Sequence, residues 1–150
     1  MVKIRMTVGG QKLGLPGFIE VDPASQESPG NPADLSQLAE EGEALEIQAT
    51  DVLDYYPFEF RTKLLTHWVS RLARGGVMVV GTREIVEVCR KVTLGDISDF
   101  IQLIYGGGGG QRRTSAGTLP QLRTMLSSLG MTPVRSYVSD FTSYVEAIRQ

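Results

Sequence analysis

The sequence predicts an α/β protein whose Rossmann-like sheet finishes in an antiparallel C-terminal hairpin. At its start, a short strand pattern reaches a pair of glycines, and a second strand pattern ends at an acid, Asp22. The unbroken apolar run over residues 77–80 is typical of a strand that is covered on both faces. Near the end, two strand patterns follow each other at residues 133–138 and 141–148. Strands that alternate with helices before a final hairpin indicate a mainly parallel sheet with one antiparallel edge.

The first third of the chain contains three strand patterns. Residues 2–8 and 18–21 form the first two, and Pro23 stops the second strand. Residues 24–32 are rich in Ser, Pro, Gly and Asn, so we expect a surface loop there or, at most, a poor edge strand. The third pattern is the alternating segment 45–49, which leads into a turn before the next helix.

Apolar residues at helical spacing predict a helix over residues 57–73. The apolar stripe of this helix consists of Leu64, Leu65, Trp68, Val69 and Leu72. Gly75 and Gly76 are expected to close the helix because glycine is the usual residue after a helix end. Residues 77–80 then form the central strand of the predicted sheet.

Two short helices are predicted between the central strand and a glycine-rich loop. Thr82 is expected to cap a helix that runs to about Arg90, and Asp96 is expected to cap the next one. Gly106 is placed to end that second helix. The apolar stripe of the second helix consists of Ile97, Phe100, Ile101 and Ile104.

A capping box marks the last predicted helix. Thr118 is followed three residues later by Gln121, and Gly130 is the expected C-terminal stop. The apolar stripe between them consists of Leu119, Leu122, Met125, Leu126 and Leu129. A tight turn at Ser139 and Asp140 is expected to join the last two strands.

Composition limits the classes of function. The 150 residues fit one domain, of which 41% are hydrophobic, and the net charge of −2 predicts no nucleic-acid partner. The most apolar run is far too short to span a bilayer and the start lacks a signal-peptide pattern, which favours a cytoplasmic protein with no membrane partner. The single cysteine, Cys89, is expected to be a buried, inert thiol. Neither a disulfide nor a metal is needed for stability at this length.

In their order and spacing, these pieces resemble the small class I S-adenosylmethionine-dependent methyltransferases. The likeness is to the compact methyltransferase type 11-like group, in which a Pro-Gly-Phe-Ile-x-Val-Asp strand directly follows the first strand. The segments that carry it are Leu15-Pro-Gly-Phe-Ile-Glu-Val-Asp22 and residues 47–55, 68–80, 103–107 and 122–134. The resemblance implies a single three-layer α/β/α domain with strand order 3-2-1-4-5-7-6. Residues 82–117 are expected to form a helical and glycine-rich insertion, which is available to select the acceptor.

The resemblance also implies an S-adenosylmethionine site over the carboxyl ends of the first, second and fourth strands. Gly9 and Gly10 would let the backbone approach the cofactor, or else they form a plain turn. Asp22 would accept both ribose hydroxyls, or else it caps a turn. The residues implied to bind the cofactor are Val8, Gly9, Gly10, Gln11, Asp22, Asp34, Leu35, Ala49 and Thr50.

Two pairs of these residues have separate implied roles. Asp34 and Leu35 occupy the place where the family contacts the adenine amino group and covers the ring, although Asp34 can equally cap the helical turn over residues 35–40. Ala49 and Thr50 would line the floor of the pocket beside the methyl group.

The chain departs from the family pattern at two positions. Gln11 stands where the family has a glycine and Tyr55 where it has a histidine, so no general base is evident. The candidates that could orient or deprotonate an acceptor are Asp51, Asp54, Tyr55 and Tyr56. The alternative is that they form a helix-entry turn whose tyrosines pack on the core. The only histidine, His67, is expected to be a surface or boundary residue of the helix without a chemical role.

The glycine run at residues 106–110 is followed by Arg112 and Arg113. It is expected either to close over an anionic acceptor or to be a plain connector. The predicted function is S-adenosylmethionine-dependent methyl transfer to a small-molecule or sugar-type acceptor. One alternative is a degenerate, non-catalytic Rossmann-like module for binding or assembly, and another is a nucleotide-binding protein that uses residues 106–113 for phosphates. The sequence also permits a homodimer in which two copies pair through an edge strand.

Overall fold

The structure is a computed structural model that describes residues 1–9, 12–23, 33–93, 97–106 and 111–150. The strands are β1 (Val2–Met6), β2 (Phe18–Val21), β3 (Ala44–Ala49), β4 (Leu72–Arg83), β5 (Met131–Ser139) and β6 (Thr142–Arg149). The α-helices are α1 (Arg61–Arg71), α2 (Ile85–Thr93), α3 (Ile97–Tyr105) and α4 (Leu119–Ser128). Two short 3-10 turns, Leu53–Tyr55 and Phe58–Phe60, precede α1.

The six strands form one mixed sheet in the order β2-β1-β3-β4-β6-β5. β1 pairs in parallel with β2 and β3, and β3 pairs in parallel with β4. β6 is antiparallel to both β4 and β5, so the predicted α/β class and the antiparallel C-terminal hairpin are confirmed. Among the described residues this is the implied strand order without its outermost edge strand. Residues 24–32, which were predicted to be a surface loop or, at most, a poor edge strand, lie outside the described residues.

A short connection, residues 7–17, joins the parallel strands β1 and β2. Its described parts, residues 7–9 and 12–17, contain no helix. The parallel pairing continues beyond the strand end, because the Thr7 N–H donates to the Val21 carbonyl at 3.0 Å. The residues that follow β1 and β2 therefore lie side by side at one edge of the sheet.

The apolar stripe predicted for this helix packs into the main core. Its four members in α1, Leu64, Leu65, Trp68 and Val69, are buried, and so is the fifth, Leu72, which begins β4. They contact inward-facing strand residues in the same cluster, among them Ile4, Ile47 and Met78. Burial of a large apolar side chain stabilises a fold by about 1.5–3 kcal/mol, so this stripe accounts for the position of α1 against the sheet.

The helix predicted over residues 57–73 is present, but both of its predicted ends were wrong. α1 begins only at Arg61 because 3-10 turns occupy the residues before it. It ends at Arg71, and the next residue, Leu72, already has an extended backbone and begins β4. The apolar residues 77–80 are, as predicted, in an interior strand between β3 and β6.

The glycine pair after α1 lies inside β4 and does not close the helix. The pairing of β3 with β4 shifts register in this region, so β4 has a bulge. Gly75 has a φ of 77°, which favours glycine, and a Cβ on Gly76 would lie 2.8 Å from the Ala73 carbonyl oxygen. Two glycines after an apolar helical pattern are compatible both with the end of a helix and with a bulge in a strand, so the sequence did not distinguish the two.

Two predictions about the region after β4 were wrong. Thr82 does not cap α2, because it lies within β4 and its hydroxyl donates to Asp54 at 2.6 Å. The helix begins instead at Ile85. Cys89 is exposed rather than buried, since α2 turns the preceding residue, Val88, towards the interior.

The last helix and the hairpin follow their sequence patterns closely. Thr118 caps α4 by accepting the Gln121 N–H at 3.4 Å. The hairpin turn lies one residue later than predicted, at Asp140 and Phe141, whose φ values of 49° and 60° are typical of a type I′ turn.

Parts of the predicted insertion lie outside the described residues, namely residues 94–96, which include the predicted cap Asp96, and residues 107–110. In the part that is described, α3 ends at Tyr105, and the Gly106 N–H donates to the Gln102 carbonyl at 2.9 Å. Among the described residues, no helix has the length and apolar character to cross a membrane. Nor do three or more His, Cys, Asp or Glu residues there form a group that could bind a metal ion.

Substitution of Gly81 tests the close contact between β4 and the end of β3. A Cβ at this position would overlap the Thr50 carbonyl oxygen and lie 3.2 Å from that of Ser143. We expect Gly81→Ala to lower the free energy of unfolding by about 2 kcal/mol in urea denaturation, because both obstacles are backbone atoms. Val134→Ala, at an exposed position of β5, is the control and should change it by no more than about 0.5 kcal/mol. Equal losses in the two variants would contradict the contact.

Candidate functional site

A cavity of about 250 Å³ lies at the carboxyl ends of β1 and β3. Its lining consists of Arg5, Met6, Thr7, Val8, Leu13, Thr50 and Asp51. The cavity thus brings together two predicted cofactor residues, Val8 and Thr50, and one predicted catalytic candidate, Asp51. Its volume is below the roughly 300–1,000 Å³ that is usual for small-molecule sites, so it can enclose part of a nucleotide-sized ligand.

Gly9 and Asp22 connect the ends of β1 and β2. The Gly9 N–H donates to Asp22 Oδ2 at 3.1 Å. Gly9 has a φ of 89°, a conformation that a residue with a side chain rarely adopts. The structure therefore places a bare backbone and a carboxylate together beside the cavity. The other two residues of this predicted turn, Gly10 and Gln11, lie outside the described residues.

Glu20 shapes the loop that covers one side of the cavity. Its carboxylate accepts the backbone N–H groups of Leu13 and Gly14, both at 3.0 Å, and contacts Arg5 Nη1 at 3.1 Å. The Gly14 hydrogen bond is the main reason why the pKa of Glu20 is lowered, and the Leu13 bond and Arg5 act in the same direction. Sequence reasoning did not identify Arg5, Leu13 or Glu20, because their partners lie across a turn whose shape is not apparent from spacing.

Tyr56 is half-buried close to Asp22. Burial, together with the negative charge of Asp22, raises the pKa of Tyr56 to about 12. The phenol is therefore protonated at neutral pH and can donate a hydrogen bond but cannot act as a base.

The predicted adenine contacts, Asp34 and Leu35, follow a residue with unusual backbone geometry. Ala33 has a φ of 54°, which costs a non-glycine residue about 1 kcal/mol. Asp34 Oδ1 accepts the Ser36 N–H at 2.9 Å, so Asp34 caps the following turn, as the alternative interpretation of this residue expected. The Leu35 side chain is 1% exposed and belongs to the core.

α1 binds this segment with two consecutive side chains. The Leu35 N–H donates to His67 Nε2 at 2.9 Å. The Trp68 Nε1–H donates to the Ala33 carbonyl at 3.1 Å. His67 is half-buried, so its predicted place at the boundary of the helix is correct, but its contact with the segment was not predicted.

Asp54 is buried and surrounded by protein donors. Only 2% of the residue is exposed, and its carboxylate accepts from Arg61 Nη2, the Thr82 hydroxyl and the Arg83 N–H, all at 2.6 Å. Burial lowers the pKa of Arg61, and the adjacent Asp54 charge opposes this effect. Asp54 therefore neutralises a buried cation and joins the turn after β3 to the end of β4.

The segment after the glycine-rich loop is attached to the same cluster. The Thr114 and Ser115 N–H groups donate to the Asp54 carbonyl at 2.7 and 3.0 Å. Arg61 also donates to the Ser115 hydroxyl at 3.0 Å. Further along, the buried Glu84 carboxylate accepts the Leu119 N–H at 2.8 Å. Residues 113–119 thus have a defined position across the carboxyl end of β4.

The two arginines after the glycine-rich loop differ in environment. Arg113 is 9% exposed and its Nη2 contacts both Asp51 oxygens, at 3.0 and 3.1 Å. The Arg113 guanidinium also lies 5.4 Å from the ring centre of Tyr55, whose hydroxyl donates to Asp51 at 3.4 Å. Arg112 is exposed. Three sequence candidates, Asp51, Tyr55 and Arg113, therefore contact one another at the cavity rim.

The last predicted cofactor residue, Ala49, is fully buried at the end of β3. It lies next to Thr50, which lines the cavity. The strand ends thus place Val8, Gly9, Asp22 and Thr50 around one edge of the sheet, while Asp34 and Leu35 lie on the segment bound by α1.

No protein-family model and no curated protein sequence matches the chain. Among solved structures, the fold is similar to that of 1,6-didemethyltoxoflavin-N1-methyltransferase from Burkholderia thailandensis, crystallised with bound 1,6-didemethyltoxoflavin and S-adenosylhomocysteine. The TM-score is 0.62 at 14% identity, over 99% of this chain and 72% of that one. A possible exported protein from Bordetella parapertussis is similar at a TM-score of 0.61 and 17% identity, over 99% of this chain and 61% of that one.

A third similar structure is magnesium protoporphyrin IX methyltransferase from Synechocystis with bound SAH. Its TM-score is 0.51 at 16% identity, over 89% of this chain and 51% of that one. This chain thus spans about half the length of the Synechocystis enzyme. At these low identities the similarity establishes the architecture, and the chain has the class I methyltransferase fold.

Substitution of Asp54 tests whether the buried charge pair stabilises the site. Asp54→Asn leaves the Arg61 guanidinium buried without a counter-charge, so we expect the free energy of unfolding to fall by about 3 kcal/mol. Asp99→Asn is the control, because Asp99 pairs with Lys91 at an exposed position, and it should cost no more than about 1 kcal/mol. Urea denaturation of both variants measures the difference. A loss for Asp54→Asn no larger than that of the control would contradict this role.

Proposed function

We propose that this chain binds S-adenosylmethionine at the carboxyl ends of β1, β2 and β3 and transfers its methyl group to a small-molecule acceptor. The observation that carries the proposal is the contact between the Gly9 backbone and the Asp22 carboxylate beside the cavity. It supplies a close backbone approach and an acceptor for ribose hydroxyls at the edge where open α/β sheets bind their ligands. The methyltransferase fold and the S-adenosylhomocysteine bound to the Burkholderia enzyme support this choice of cofactor.

The residues around the cavity fit the parts of this cofactor in different ways. Asp22 would accept the ribose hydroxyls, and the Gly9 turn, with Gly10 and Gln11, would contact the sugar and the methionine part. Val8, Ala49 and Thr50 would form the floor beside the methyl group. Asp34 and Leu35 would lie at the adenine end. Because the cavity encloses only about 250 Å³, the adenine end would extend beyond it.

The bound cofactor would supply an electrophilic methyl group, and the protein's task would be to position an acceptor in line with it. Asp51 is the best-placed residue for this task, because its half-exposed carboxylate lines the cavity. Arg113 and Tyr55 fix the direction of that carboxylate. Exposed Arg112 would favour an acceptor with a negative group, such as a sugar phosphate or a carboxylate.

A second candidate function is a binding or assembly module that has lost catalysis. The engagement of Asp51 by Arg113 and the enclosure of Asp54 favour it, because neither acid then serves readily as a base. In this case the cofactor would be a structural ligand or would be absent, and the long edge strand β5 would be a natural place for pairing with a second copy.

Calorimetric titration with S-adenosylmethionine and S-adenosylhomocysteine tests the proposed function. We expect micromolar binding that Asp22→Ala weakens by about tenfold to a hundredfold, because hydrogen bonds to a carboxylate contribute about 1.5–3 kcal/mol. Asp99→Ala is the matched control, since it removes an exposed carboxylate on α3, and it should bind as the wild type does.

The outcomes separate the two functions. Wild-type affinity in the Asp22→Ala variant would contradict the assigned site. No binding of either ligand by the folded wild-type chain would contradict the methyltransferase and favour the binding or assembly module.

A further inference from the structure

The segment Ala33 to Leu35 is bound to α1 by two neighbouring side chains. Trp68, fully buried, donates to the carbonyl of Ala33, and His67 accepts the N–H of Leu35. These bonds stabilise the positive φ of Ala33, which an isolated alanine would avoid. The backbone on both sides of Asp34 is therefore held by contacts from α1.

His67 Nε2 lies between a donor and an acceptor. The Leu35 N–H points at it from 2.9 Å, and Asp34 Oδ1 lies 3.1 Å away. A neutral imidazole that carries its proton on Nδ1 can accept from Leu35, whereas a protonated imidazole presents Nε2–H and can only donate, to Asp34. One nitrogen cannot form both hydrogen bonds, so the two protonation states favour different arrangements of the segment.

We propose that His67 is a positioning residue for the adenine end of the cofactor site. In its neutral form it accepts the Leu35 N–H and thereby holds the backbone of the segment in place, while the Asp34 carboxylate accepts the Ser36 N–H. In its protonated form it donates to Asp34 Oδ1, which already lies 3.1 Å away, and can no longer accept the Leu35 N–H, so the segment that carries Asp34 loses one of its two bonds to α1. The inference rests on the proposed function, because it assigns Asp34 to cofactor binding.

The charged groups that face His67 come from two parts of the chain. Asp34 and Glu41 lie on the segment before β3, and Arg71 lies one turn further along α1. Burial is the largest influence and lowers the pKa of His67 below its usual 6.5; Arg71 acts in the same direction, while Asp34 and Glu41 oppose it.

The lowered pKa of His67 determines the pH range in which its protonation changes the contacts of the segment. Because the pKa is lower in the folded state than in the unfolded chain, the unfolded chain binds the proton first as the pH falls. The neutral arrangement, and the stability that it contributes, is fully present above about pH 6.5 and is lost as the pH falls through the folded pKa.

The first test uses the protein without any ligand. His67 is the only histidine in the chain, so its imidazole nitrogens are unambiguous in ¹⁵N NMR. We expect the Nδ1–H tautomer at about pH 7.5 and a Leu35 amide shift that titrates together with the imidazole. An Nε2–H tautomer at that pH, or a Leu35 amide that does not follow the imidazole, would overturn the proposal.

The second test measures the affinity for S-adenosylhomocysteine across the pH range in which the imidazole titrates in the first test. The wild-type dissociation constant should rise as the pH falls through that range, by no more than about tenfold per pH unit, because a single proton is involved. His67→Gln, whose side-chain oxygen can accept the Leu35 N–H without titrating, should bind as the wild type does at pH 7.5 and show no such rise. His67→Leu, which lacks an acceptor, should bind more weakly at every pH.

The combined results separate this inference from the proposed function. A flat wild-type profile, or an unchanged profile in folded His67→Gln, would overturn the positioning role while leaving the cofactor site intact. Absence of binding at any pH, with the expected tautomer present, would overturn the cofactor assignment and with it the role of His67 towards that ligand. Circular dichroism at each pH shows that the variants are folded.

Discussion

The structure depends most on the buried charge pair between Asp54 and Arg61. Two charges out of contact with water are stable only when they are paired and their remaining hydrogen-bonding groups are occupied. Here one carboxylate receives a guanidinium, a hydroxyl and a backbone N–H, which come from the start of α1 and the end of β4. The backbone carbonyl of Asp54 accepts hydrogen bonds from the N–H groups of residues 114 and 115. Three other parts of the chain, the start of α1, the end of β4 and residues 114–115, thus meet at a single residue.

This arrangement also connects the stability of the fold to the geometry of the cavity. Asp51 and Asp54 belong to the same turn after β3, yet one lines the cavity and the other is enclosed in the protein. Because Asp54 fixes the turn, it also determines where Asp51 and Thr50 stand at the cavity wall. The residues 113–119 that Asp54 binds include Arg113, the partner of Asp51. Buried Asp54 therefore sets the position of accessible Asp51 in two ways, through the turn that both residues share and through the segment that carries Arg113.

Local patterns predicted what depends on local physics. The stripe of α1, the capping box at Thr118 and the interior position of residues 77–80 follow from periodicity and caps, and the structure has all three. The adjacency of Gly9 and Asp22 followed from parallel strands that end at the same edge. The pairing of Asp54 with Arg61, and of Leu35 with His67, could not be predicted, because it depends on how the turns place groups that no spacing rule relates.

The strand order has a consequence for synthesis on the ribosome. β4 emerges with one neighbour, β3, already made, while its other neighbour, β6, is the last strand of the sheet. Val80 pairs with Val145, so the apolar edge of β4 has no partner until the C-terminal hairpin has been translated. A nascent chain in this state exposes the kind of edge that recruits other chains. The C-terminal hairpin therefore determines when this edge of β4 becomes covered.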